Sequence, residues 1–148
     1  MFNIATAGAI KSVSGSTAFS NAGTIDISGF SGTAIIGAPF TNSIDHPGQA
    51  GGVLDVDTTG SGGSNLTFTN SVTNSGVIHI GNGTLASDVM VSASNGIANA
   101  PGHASGFVGL PAGQIVLNGG SSGRALLSIG GPAASELPWQ ATIPGTPP

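Results

Sequence analysis

A short phrase of hydrophobic and polar positions recurs along the chain: Gly, any residue, apolar, any residue, apolar. It stands at Gly23-Ile25-Ile27, Gly52-Leu54-Val56, Gly76-Ile78-Ile80 and Gly113-Ile115-Leu117, and again at Gly106-Val108-Leu110, where Gly109 weakens it. Composition alone predicts about one match to this template. Apolar residues at i and i+2 face the same side of an extended strand. The residues between them, Asp26, Asp55, His79 and Val116, then point outward, and three of these four are polar. That is the pattern of a half-buried strand. Further strands are predicted at Thr33–Ile36, Leu66–Thr69, Val89–Ser92 and Ala125–Ile129, each flanked by Gly, Asn, Ser or Pro. No segment carries an i, i+3, i+4 apolar stripe long enough for an amphipathic helix.

Short strands that repeat one phrase fit two all-β architectures. In a β-sandwich the strands need not resemble one another. In a β-solenoid the phrase recurs because every coil rebuilds the same wall. The repeated corner, NAG before Thr24, NSG before Val77 and PAG before Gln114, favours the β-solenoid, with irregular loops between its strands. Asn stacked at such corners can hydrogen-bond along the stack. At about twenty residues per coil, about seven coils would form a rod of about 34 Å. Residues 1–130 are read as the repeat domain and 131–148 as a tail or linker. The tail holds Pro132, Pro138, Pro144, Pro147 and Pro148, and Pro cannot donate to a ladder. Residues 57–64, DTTGSGGS, read as a loop.

Composition narrows the function classes. Charged residues are 5% of the chain, where soluble domains usually hold about 25%. A helical bundle lacks the charged outer faces it needs. The net charge is −4 and the cations are Lys11 and Arg124, which excludes a basic nucleic-acid binder. No cysteine is present, so disulfides and thiolate chemistry are excluded. No run of about 18 apolar residues predicts a membrane-spanning helix. The first residues lack the positive start of a secretory signal.

The phrases NAGTIDISG (21–29) and NSGVIHIGNGTLAS (74–87) resemble repeats of filamentous-haemagglutinin-like exoproteins and autotransporter passenger domains of bacteria. The resemblance covers patches of residues 20–130. It implies a right-handed parallel β-helix outside the cell, serving adhesion, aggregation or biofilm formation. Members of those families are far longer and carry an export signal. The resemblance therefore implies that this chain is a fragment or a truncated product. It concerns scaffold positions and implies no catalytic residue, cofactor or metal. Surface glycans and other copies of the chain are the expected partners.

Candidate chemistry is sparse. Asp55 and Asp57 form the sharpest acidic pair. On a strand they would share one face, about 7 Å apart at Cα, and would point outward as a solvated pair. Paired carboxylates also serve glycosidases, so a β-helix carbohydrate-active enzyme is one alternative. DVDTTG further echoes a calcium loop, but the twelfth position is Leu66 where a bidentate Glu is required. His46, His79 and His103 lack metal-ligand spacing and read as surface histidines. Trp139 reads as a plug for one end of the core, with a sugar-stacking platform as the alternative. The leading expectation is a structural or adhesive segment rather than an enzyme. A trimeric phage tail-fibre or virion component binding host glycan is the other alternative.

Overall fold

The computed structural model describes residues 2–3, 11–29, 31–43, 51–99, 113–120 and 123–130. The first coil contributes β1 (Phe2–Asn3), β2 (Lys11–Val13) and β3 (Phe19–Asn21). The second holds β4 (Thr24–Ile27), β5 (Gly32–Ile36) and β6 (Phe40–Asn42). The third holds β7 (Val53–Val56), β8 (Ser64–Phe68) and β9 (Val72–Asn74). The fourth holds β10 (Val77–Ile80), β11 (Val89–Ala93) and β12 (Ile97–Asn99), and the fifth β13 (Gln114–Leu117) and β14 (Ala125–Ile129). Every third strand pairs with the next, giving sheets β1-β4-β7-β10-β13, β2-β5-β8-β11-β14 and β3-β6-β9-β12. All the pairings are parallel. The molecule is a three-walled parallel β-solenoid, and no α-helix occurs among the described residues. A sandwich of two facing antiparallel sheets is excluded.

The recurring phrase builds the first wall. Ile25, Leu54, Ile78 and Ile115 stand in register, as do Ile27, Val56, Ile80 and Leu117. In β4, β7 and β10 these teeth are buried and the residues between them half-exposed. The second wall adds two inner columns: Ala34, Leu66, Val91 and Leu127, then Val13, Ile36, Phe68, Ala93 and Ile129. Phe19, Phe40, Val72 and Ile97 line the third. Phe40 packs against Phe19 and Phe68 at ring-centroid distances of 5.7 and 5.2 Å. Each fully buried aliphatic or Phe side chain in this narrow interior is worth about 1.5–3 kcal/mol.

The third wall explains the corner. Asn21, Asn42, Asn74 and Asn99 stack in register at its end. Each Nδ2 donates to the Oδ1 of the next rung, at 2.9, 2.9 and 3.0 Å. Each also donates to a backbone carbonyl of the first wall: Val53, Val77 and Gln114, at 3.0, 3.1 and 3.0 Å. Asn42 and Asn74 are fully buried. Burying an amide costs free energy unless it is hydrogen-bonded, and here each amide joins coils while remaining satisfied. Among the described residues no buried side-chain nitrogen or oxygen lacks a partner.

The glycines follow from this ladder. A Cβ at Gly52 would lie 2.2 Å from the Asn21 carbonyl oxygen, and at Gly113 2.0 Å from that of Asn74. The turn from third to first wall runs so close under the previous coil that only a hydrogen fits.

Among the described residues the stack shows five rungs, and the first and last of these are about 19 Å apart. The chain from Asn42 to Gly52 and from Asn99 to Gly113 is far longer than from Asn21 to Gly23. The uneven glycine spacing therefore arises at the ladder corner. Ser64, read as loop, opens β8 and is buried. The Gly106 phrase lies outside the described residues.

Candidate functional site

The first wall carries an outward column of Asp26, Asp55, His79 and Val116 in register. Strand alternation places them there, because their neighbours on both sides are core teeth. Asp26 accepts a short hydrogen bond from the Ser28 hydroxyl. Asp55 Oδ1 lies 2.7 Å from His79 Nδ1, with the side chains 23% and 40% exposed respectively. Against a carboxylate acceptor, Nδ1 donates the hydrogen bond, which fixes the orientation of the ring.

The pair edges an open depression of about 370 Å³, lined by Asp55, Thr58, His79, Gly81, Val116 and Asn118 together with Asn82. Asn82 is committed to the adjoining turn. Its Nδ2 donates to the carbonyls of Asp57 at 2.8 Å and Gly60 at 3.0 Å. Its Oδ1 accepts from the Thr84 amide and hydroxyl. The depression thus offers carboxylate, imidazole and amide groups beside the exposed Val116 side chain.

Asp57 is not where strand alternation puts it. β7 ends at Val56, and Asp57 takes a left-handed conformation with φ 48°. Its carboxylate turns inward and is fully buried. Oδ1 accepts from the Gly29 amide and the Ser64 hydroxyl, each at 2.9 Å, and Oδ2 accepts from the Ser64 amide at 2.7 Å. Asp57 therefore fastens the second coil to the loop of the third. It shares no outward face with Asp55, and the solvated pair expected from the sequence does not form. A two-carboxylate site for glycoside hydrolysis loses its second member.

Trp139, His46 and His103 lie outside the described residues. Arg124 reaches Asp88 at 3.1 Å on an exposed surface. Among the described residues no three His, Cys, Asp or Glu converge to hold a metal ion. No described helix is long and apolar enough to cross a membrane.

Sequence reasoning missed the Asp55–His79 pair. The signal was present, since both residues hold the same place in the repeated phrase. Comparison with known proteins finds no matching family model, no matching curated protein and no matching solved structure.

Proposed function

We propose that the chain is a structural or adhesive solenoid segment of a bacterial extracellular or cell-surface protein, acting by adhesion to glycans or by self-association. The observation that carries this reading is the chemistry of the outer walls. On the second wall Ser12, Ile35, Thr67, Ser92 and Ser128 form one outward column. On the third, Ser20, Thr41, Thr73 and Ala98 form another. Hydroxyls thus repeat at about the 4.8 Å rung spacing on a stiff support. Each hydroxyl offers a weak, directional contact, and a repeating partner engages many at once. The resemblance of the repeats to bacterial exoprotein and passenger-domain repeats supports the same reading. So does the low net charge, which leaves the walls weakly protected against association.

The test joins two measurements on the full chain. Protein clustered on beads is expected to be retained by arrays of neutral saccharides, or the free chain to self-associate as its concentration rises. A Thr67→Glu, Ser92→Glu variant is expected to lose most of that retention or association while keeping its circular dichroism. A chain that holds no saccharide when clustered and stays monomeric throughout contradicts the proposal.

A further inference from the structure

The polar side chains on and beside the outward column of the first wall fall into two groups. Asp26 is engaged by the Ser28 hydroxyl, Asp57 by Gly29 and Ser64, and Asn82 by the turn it braces. These serve the fold. Around the depression at Asp55 and His79 the reverse holds. Asp55 gives one carboxylate oxygen, Oδ1, to His79 Nδ1. Its Oδ2, His79 Nε2, the Thr58 hydroxyl and the Asn118 side-chain amide have no hydrogen-bond partner among the described residues. Asp55 and Thr58 are only half-exposed, so these unused atoms line a shared concavity instead of standing on a convex face.

The depression is held in shape before any ligand arrives. His79 is oriented by Asp55. The turn that carries Thr58 is braced by Asn82, whose Nδ2 donates to the carbonyls of Asp57 and Gly60 on either side of it. Asn118 follows directly on β13, and its backbone N–H donates to the Ile80 carbonyl at 2.9 Å. Val116, one rung beyond His79 in the same column, is 42% exposed and supplies an apolar edge. Groups already in place lose little conformational freedom when a ligand binds.

The chemistry of the unused atoms selects the ligand. A carboxylate oxygen only accepts hydrogen bonds, whereas an amide donates and accepts, and so does a hydroxyl. A ligand must therefore donate to Asp55 and exchange hydrogen bonds with Asn118 and Thr58 beside it, which adjacent hydroxyls do. An anionic ligand would meet the charge of Asp55. A guanidinium would need both carboxylate oxygens for its paired hydrogen bonds, and His79 holds one of them. We propose that this depression is a binding site for a neutral saccharide, which bridges Asp55 Oδ2 and the Asn118 amide through neighbouring hydroxyls and lays its C–H face against Val116. The proposal rests on the adhesive reading above and names the place where a single sugar is held, distinct from the hydroxyl columns of the second and third walls.

The test is a titration of the free, full chain with methyl glycosides of glucose, galactose, mannose and N-acetylglucosamine, followed by nuclear magnetic resonance. At least one glycoside is expected to shift the His79 ring and Val116 methyl signals, with a dissociation constant of about a millimolar. Asp55→Ala is expected to weaken that binding about tenfold, as loss of a hydrogen bond to a charged group does, and Asn118→Ala several-fold. Asp88→Asn, which alters an exposed carboxylate outside the depression, is expected to leave it unchanged. Circular dichroism checks that each variant keeps the stack. Silence of both signals at the solubility limit of every glycoside overturns the site, while retention of the clustered chain by saccharide arrays would still carry the adhesive reading. Shifts spread evenly over the outward Ser and Thr of the second and third walls also overturn it. So does binding indifferent to both Asp55→Ala and Asn118→Ala.

Discussion

Replacing Gly76 with alanine is expected to destabilise the stack by about 3 kcal/mol or more, the upper range for overpacking a filled site. The new Cβ would lie 2.1 Å from the Gly52 carbonyl oxygen and 2.9 Å from Asn42 Nδ2. Neither neighbour is free to move. The Gly52 carbonyl accepts from the Val77 amide at 2.9 Å, and Asn42 Nδ2 is held by Asn74. Relief would require parting the second and third coils from the fourth at the corner where first and third walls meet. Gly23 supplies the control, since it occupies the same place in the phrase yet its added Cβ meets nothing within 4 Å. Gly23→Ala is expected to stay within about 0.5 kcal/mol of the parent. Thermal unfolding followed by circular dichroism separates them, by roughly 10 °C for a chain of this size. Equal midpoints would show that the corner is not in contact.

Ile78→Asp is expected to have a still larger effect. Ile78 is fully buried between Leu54 and Ile115. A carboxylate there finds no cation, and an unpaired buried charge costs several kcal/mol after relaxation. That is comparable with the whole stability of a domain, about 5–15 kcal/mol. Each coil is held by its neighbours, so loss of the fourth also releases the fifth. His79→Ser, one residue along, removes a half-exposed hydrogen bond to Asp55 and is expected to cost at most about 1 kcal/mol. Equal unfolding midpoints for the two variants would show that the inward and outward assignment of β10 is wrong.

The legibility of this fold in its sequence differs wall by wall. The first wall was readable because its glycine and two teeth are contiguous, and the second because β5, β8, β11 and β14 hold runs of strand-forming residues. The third wall was hidden. Its strands have three residues, with one apolar tooth followed two positions on by an asparagine. Hydropathy counts that asparagine as surface, yet Asn42 and Asn74 are among the most buried residues. What buries them is hydrogen bonding between coils; the repeated NAG and NSG corners made that stacking legible for Asn21 and Asn74, whereas Asn42 and Asn99 join it only once the coils are aligned. Asp57 misled for a similar reason, since period-two alternation stops where a residue turns left-handed. The Asp55–His79 pair needed only the register of Gly52 against Gly76, which the repeated phrase already contained. The chain from Asn42 to Gly52 and from Asn99 to Gly113 is much longer than from Asn21 to Gly23, so division by about twenty residues per coil does not reproduce the five rungs of the described residues.

The in-register stacking of coils is tested most directly with paired cysteines, since the chain has none of its own. Thr41 and Thr73 face outward on β6 and β9 as register partners. Their Cα atoms then lie about 4.8 Å apart, inside the window of about 4.4–6.8 Å that a disulfide spans. Thr41→Cys with Thr73→Cys is expected to close an intramolecular disulfide under mild oxidation. Thr41→Cys with Ser92→Cys, which stand on different walls, is expected to remain reduced. A Thr41–Thr73 cysteine pair that stays reduced, with both thiols open to a labelling reagent, would contradict the stack.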